Sequence, residues 1–348
     1  MPEHSSPIDL DALFAPPTPE EIALVWESFP KEFRADRFTL LGEAVEHDGV
    51  AAQFLHYYSD GLKIYGVLHR PADTSRGPFP LLLANHGGFT ALLFVRVRPP
   101  DAREVPLPAR RSFQQWCADL ARAGYVVLAS GYRGQVTPLG QSDGHIEFGK
   151  GEVTDVLNLL ECGKTLPYVD ATRIGMWGHS HGAKITALAA QRSPDLRAGI
   201  VCAAPANISF GTELGPNRMR HRLEWLLRGD YDRAFTAWPP WRGMGFWRLF
   251  LPLVEGQATL ERTRLEMIAR TPYLFAHHTR CPLLLVCGDA DDLYPDAVEL
   301  DAALAGAGKE HEIHIFPGQH HGFMFIGAED VIAEAWDLWL DFFARRLR

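Results

Sequence analysis

The segment Gly175–Ile185, GMWGHSHGAKI, sets Ser180 between two histidines and two glycines. Three readings compete: a serine nucleophile, a pair of histidine metal ligands, or a tight turn of small residues. A serine hydroxyl is a poor nucleophile near neutral pH and needs a general base, which in turn needs an orienting carboxylate. Both types follow along the chain. CGDADDLYP offers Asp289, Asp291 and Asp292, and FPGQHHGF offers His320 and His321. Nucleophile, acid, histidine is the order in which a GxSxG serine on a parallel sheet meets its partners. The oxyanion formed in acyl transfer needs preorganised N–H donors. One is expected from the backbone of His181 and the other from NHGGF, at Gly88 or Phe89. His179 and His181 stand at i, i+2 with no acidic residue in the turn, whereas helical zinc pairs favour i, i+4, so no metal is expected. No organic cofactor is implied.

Such residues work only if the fold delivers them. RIGMWG reads as a strand and HGAKITALAAQ as a helix, which puts Ser180 on the turn between them and raises the motif above a chance match. Side chains at Gly178 or Gly182 would strike the neighbouring strand or helix. The helix start would aim its N–H groups and positive dipole end at the serine. Around this turn, short apolar runs (FPLLLANHGG, GYVVLASGYRG, RAGIVCAAP, CPLLLVCGD, HEIHIFPG) alternate with helical stretches near 110–123, 149–164, 181–192, 295–307 and 328–346. That rhythm predicts an α/β fold with a mostly parallel sheet of about eight strands, covered by helices on both faces. Residues 51–70 hold two β-rich runs around Ser59-Asp60-Gly61, a hairpin signal.

Residues 1–45, Pro-rich and then helical in tone, are expected to form an N-terminal arm, and 46–348 the main domain. An interval at about 209–275 breaks the rhythm and is expected to form a helical cap. Across 209–280, eleven Arg against seven Asp and Glu give +4, within a chain of net charge −9. In NRMRHRLEWLLR, Met219, Leu223, Leu226 and Leu227 fall on one helical side. A second long loop, roughly 89–110, follows the third strand. The acidic balance argues against nucleic acid or an anionic membrane as partner. No apolar segment reaches the roughly 20 residues of a membrane span. The N-terminus lacks the basic start and apolar run of a signal peptide. Five cysteines without CxxC spacing read as core residues of a reducing compartment, so the cytoplasm is expected.

The chain resembles the catalytic domain of the prolyl oligopeptidase (S9) family of α/β-hydrolases. The resemblance rests on DGLKIYGVLHRP, NHGGF, GYRG, the run from GEVTDVLNLL through GHSHGAKITALAA, CPLLLVCGDADDLYP and FPGQHHGF. It covers about residue 58 to the C-terminus. It implies a Ser-His-Asp triad and chooses among the neighbours. The family acid lies three residues after a glycine and four before a proline, which selects Asp291 between Gly288 and Pro295. The family histidine precedes Gly-Phe, which selects His321. The 57 residues ahead of the matching region are too few for the β-propeller of the peptidases.

The expected activity is therefore that of a serine hydrolase cleaving a small carboxylic ester through an acyl-enzyme. An S9-type peptidase or amidase on small peptides is the alternative within the same chemistry. An acyltransferase or carbon–carbon bond hydrolase with the same triad is the alternative of another class. The expected partner is a small ester or amide substrate, and the reading admits a homo-oligomer. Arg133, after the fourth strand, is a candidate for a substrate carboxylate or, equally, for a scaffold ion pair. Trp238 and Trp241 are candidate aromatic walls for the acyl group.

Overall fold

The computed structural model describes residues 8–88, 111–207, 210, 218–230 and 245–347. Its centre is a nine-stranded sheet: β1 (Thr39–His47), β2 (Val50–Ser59), β3 (Leu62–Pro71), β4 (Phe79–Asn85), β5 (Val126–Ser130), β8 (Val169–His179), β9 (Leu196–Cys202), β10 (Leu283–Gly288) and β11 (His311–Phe316). A two-stranded ribbon, β6 (Val136–Thr137) with β7 (Gly140–Gln141), interrupts the numbering. Across the sheet the order is β1-β2-β3-β5-β4-β8-β9-β10-β11. The six strands from β5 to β11 in that order run parallel, and β1 to β3 run antiparallel.

One strand more is present than the apolar rhythm predicts. It is β1, whose residues 39–45 fall in the expected arm. It lies at the sheet edge, largely exposed, and its Glu43, Glu46 and His47 hide the alternation that marks a half-buried strand. The predicted hairpin forms β2 and β3. Asp60 (φ 51°) and Gly61 (φ 78°) make its two-residue turn, both in the left-handed region such turns require.

Period-two alternation sorts the core. On β4, Leu81 and Leu83 point into one apolar layer, and Leu82 and Ala84 into the other. The first layer is closed by α4 (Gly151–Lys164), α5 (His181–Arg192) and α9 (Tyr294–Gly306); the second by α3 (Phe113–Arg122) and α11 (Glu329–Arg346). Crossovers carry the chain from β4 through α3 to β5 on one face, and from β8 through α5 to β9 on the other. The strand order therefore reverses between β4 and β8. Beyond the C-terminal ends of that pair lies the crevice where open α/β sheets place their ligands.

In the arm, α1 (Leu10–Phe14) precedes α2 (Pro19–Ser28), whose start is fixed by a capping box between Thr18 and Glu21. The insertion is helical where described: α6 (Arg218–Leu227), α7 (Gly245–Val254) and α8 (Leu260–Ile268). Leu13 and Phe14 of the arm pack among Met219, Leu223, Leu226 and Phe250. Leu227, expected on the same apolar side, is instead 40 % exposed, the last residue of α6 before the chain turns at Gly229. Arg264 on α8 donates to the carbonyls of Ala12, Leu13, Ala15 and Pro16 and to both carboxylate oxygens of Glu21, which ties arm to cap. All five cysteines are buried free thiols. Among the described residues, no helix is long and apolar enough to cross a membrane.

Candidate active site

Ser180 follows β8 and caps α5 with φ 56° and ψ −119°, a conformation a side-chain-bearing residue adopts at a cost of about 1–3 kcal/mol. The flanking glycines make the turn possible. A Cβ at Gly178 would lie 2.2 Å from the Gly182 carbonyl oxygen, and one at Gly182 would lie 2.0 Å from that of Asn85. The Ser180 N–H donates to the Cys202 carbonyl at 2.9 Å, pinning the elbow to β9.

The acid and the base arrive from the far side of the sheet. β10 and β11 pair in parallel, with Gly288 beside Phe316. A Cβ at Gly288 would sit 2.0 Å from the Gln319 carbonyl oxygen, so glycine there lets the loop after β11 fold across the end of β10. In that arrangement the His321 Nδ1–H donates to Asp291 Oδ2 at 2.9 Å, and His321 Nε2 accepts from Ser180 Oγ at 3.0 Å. The carboxylate fixes the tautomer, since an ionised oxygen only accepts; Nε2 is left free to take a proton. Asp291 Oδ1 accepts the Leu293 N–H at 2.8 Å, and the Cys287 thiol reaches Oδ2 at 3.8 Å. Burial pushes the Asp291 pKa up, but the His321 hydrogen bond and charge, with the Leu293 N–H, outweigh it and hold the acid below its ordinary value.

The neighbours left open by residue type go elsewhere. Asp289 accepts the Gly318 N–H at 2.6 Å, Asp292 is exposed, and His320 meets the Ala290 carbonyl at 3.0 Å. Asp291 and His321 are the pair brought to Ser180.

The segment after β4 lies beside the serine. Asn85 pairs with Gly178, and a Cβ at Gly87 would be 3.0 Å from Ser180 Cβ. Gly88 has φ +62°. Tyr132 Oη donates to the His86 carbonyl at 3.2 Å, and the Gln135 side-chain amide to that of Gly88 at 3.4 Å, so the loop after β5 buttresses the loop after β4. His181 supplies the first amide of α5, directly after the nucleophile. Its ring stacks on Phe148 at 4.7 Å and lies 3.9 Å from Glu152, whose carboxylate gathers the N–H groups of residues 147–150. Burial lowers the His181 pKa to about 4 and that of His179 to about 3. Phe89, Trp238 and Trp241 lie outside the described residues.

Of the two readings open for Arg133, a substrate carboxylate or a scaffold ion pair, the structure shows carboxylates of the chain itself around the guanidinium. The guanidinium binds Asp155 through two bonds of 3.0 and 2.7 Å, Asp60 at 2.9 Å and Glu147 at 3.5 Å. Its role is that of a buried scaffold pair. Residue types alone did not single out Tyr132, Gln135 or Glu152. The usable signal lay in GYRGQ, directly after a strand end that feeds the crevice.

A family model described as alpha/beta hydrolase fold matches residues 110–325, a span that includes Ser180, Asp291 and His321. The acylamino-acid-releasing enzyme of Rattus norvegicus is 23 % identical over 281 residues, covering 76 % of this chain and 34 % of its own length. The uncharacterized peptidase YuxL of Bacillus subtilis is 25 % identical over 279 residues, covering 77 % and 35 %. The chain thus spans about a third of the length of these relatives. Among solved structures, acetyl xylan esterase 1 from Thermoanaerobacterium sp. shares the fold with a TM-score of 0.61 and 17 % identity, over 99 % of this chain and all of that one.

Proposed function

Because the chain belongs to the α/β-hydrolase family, we propose that it is a serine hydrolase that cleaves a small carboxylic ester through an acyl-enzyme. The observation that carries this reading is His321, which bridges Ser180 Oγ at 3.0 Å and Asp291 at 2.9 Å. Ser180 Oγ attacks the carbonyl carbon while its proton passes to His321 Nε2. Asp291, held ionised, stabilises the imidazolium. The backbone N–H groups of His181 and of Gly88 or Phe89 receive the oxyanion. As the tetrahedral adduct collapses, His321 returns the proton to the departing alcohol. Water then attacks the acyl carbon and gives a proton to His321; as the Oγ–acyl bond breaks, His321 passes that proton to Ser180 Oγ and the acid leaves.

The acetyl xylan esterase that shares the fold along its whole length supports an ester as substrate. The peptidases among the curated relatives support a second reading, an S9-type peptidase or amidase on small peptides. We place the protein in the cytoplasm and assign it no metal, cofactor or nucleic-acid partner.

A fluorophosphonate probe tests the nucleophile: the wild-type protein should be labelled and Ser180→Ala should not. Equal labelling of both refutes the assignment. A series of p-nitrophenyl esters of graded chain length, run beside aminoacyl anilides, then separates the two substrate classes. Turnover of the anilides above the esters would select the peptidase reading.

A further inference from the structure

The base and the nucleophile stand 141 residues apart, and the strands that carry them are separated in the sheet by β9 and β10. His321 sits on a connection between β11 and the four-residue helix α10 (Phe323–Ile326), not on a regular element. Something has to fix that connection against the elbow. One side chain spans the gap. His179, the residue before the nucleophile, meets the main-chain carbonyl of His321 at 2.7 Å through Nε2. A carbonyl oxygen only accepts, so Nε2 carries the hydrogen and donates it. The two imidazoles pack with centroids 4.8 Å apart, and Phe325 stands edge-on to His179 at 5.0 Å. On its other side the ring backs onto the loop after β4: a Cβ at Gly87 would lie 3.1 Å from His179 Nδ1.

We propose that His179 is a positioning residue of the hydrolase, its buried ring holding the general base, the nucleophile elbow and the oxyanion loop in one register. The proposal rests on the serine-hydrolase reading above. Three observations favour it over simple packing. The bond ends on the backbone of the base itself, so losing it releases the base. The ring, carried by the elbow, touches both the loop after β11 and the loop after β4. And burial lowers the His179 pKa to about 3, with the His321 charge also lowering it and the Asp291 charge opposing, so the donor stays neutral near neutral pH. With Nε2 committed to a carbonyl, His179 is not a second base.

A misplacement of about 1 Å at a reacting group costs roughly 100-fold in rate. His179→Phe keeps an aromatic ring and removes the donor. His179→Gln places an amide N–H at nearly the reach of Nε2. We expect His179→Phe to lose about 10- to 100-fold in kcat on the preferred p-nitrophenyl ester, with KM within about threefold of wild type. His179→Gln should recover most of the loss. The rate of fluorophosphonate labelling should fall in parallel with kcat. If melting shows that His179→Phe does not fold, His179→Asn, whose amide is too short to reach the carbonyl, is held to the same criteria. A donor-free variant with kcat and labelling rate within twofold of wild type overturns the proposal, as does a His179→Gln that falls as far as Phe. Failure of the hydrolase reading looks different: there the wild-type protein itself escapes the probe, or Ser180→Ala takes it up.

Discussion

Asp155 offers a test in which the structure fixes the size of the effect. Its carboxylate is fully buried and accepts two bonds from the Arg133 guanidinium and a third from the Arg133 N–H. The other partners of Arg133 are poorer: Asp60 is 56 % exposed, and Glu147 is 3.5 Å away. Removing Asp155 therefore strands a buried cation with one screened and one distant counter-charge. Breaking a buried pair in this way costs about 3–5 kcal/mol. Asp60→Asn, which keeps the turn residue, should cost at most about 1 kcal/mol. With unfolding entropy near 2.1 cal/mol/K per residue, 348 residues give roughly 0.7 kcal/mol/K. Asp155→Ala should then lower Tm by about 4–7 °C and Asp60→Asn by about 1 °C, read by scanning calorimetry. Pairing Arg133→Met with Asp155→Leu should recover at least half of the loss, because a well-packed apolar pair replaces the ionic one. Because residues 132–135 buttress the loop after β4, activity should fall with Asp155→Ala as well. A Tm within about 1 °C of wild type for Asp155→Ala would refute the scaffold role. So would an Arg133→Met variant whose only change is a raised KM, since that would return the guanidinium to substrate binding.

Two further outcomes follow from the same geometry. His321→Ala should lower turnover by about 1,000-fold or more, while His320→Ala, whose ring meets the Ala290 carbonyl, should lose less than about tenfold; the reverse order would move the base to His320. Lys184, buried on α5 over the Phe148 ring, has its pKa lowered to about 7, first by burial and further by Arg270, against the pull of Asp296 and Glu152. Between that value and its ordinary 10.5 the unfolded chain holds a proton that the folded chain lacks, so stability rises with pH across this window and is flat for this group below it. From pH 7 to 9 the gain is about 2 kcal/mol, or roughly 3 °C, and Lys184→Met should lack it. Equal Tm–pH slopes for wild type and variant would show that Lys184 stays charged.

What could be read beforehand follows how local each constraint is. The elbow was legible because its chemistry is written into five adjacent residues, and the approaches of 2.0 and 2.2 Å explain both glycines without any distant contact. The parallel strands were legible because burial on both faces leaves a continuous apolar run. Choosing Asp291 from three aspartates and His321 from two histidines was not open to residue type, since the choice depends on how one loop folds across the end of β10. The resemblance made a selection there, and in the structure His321 hydrogen-bonds to both Asp291 and Ser180.

The cap arginines show the opposite limit. As a string of charges, +4 over 72 residues admits two readings, solvated helix faces or a field that steers an anion. In the fold much of that charge is spent internally. Arg264 is buried against four arm carbonyls and Glu21, Arg220 pairs with Asp11 and Glu224, and Arg270 pairs with Glu266 and approaches Glu147. Asp11, Glu21 and Glu147 lie outside the insertion, so a charge count confined to it misses the residues that neutralise it. The positive excess holds the cap to its neighbours, and any anion-steering role falls to those arginines that such pairs leave over.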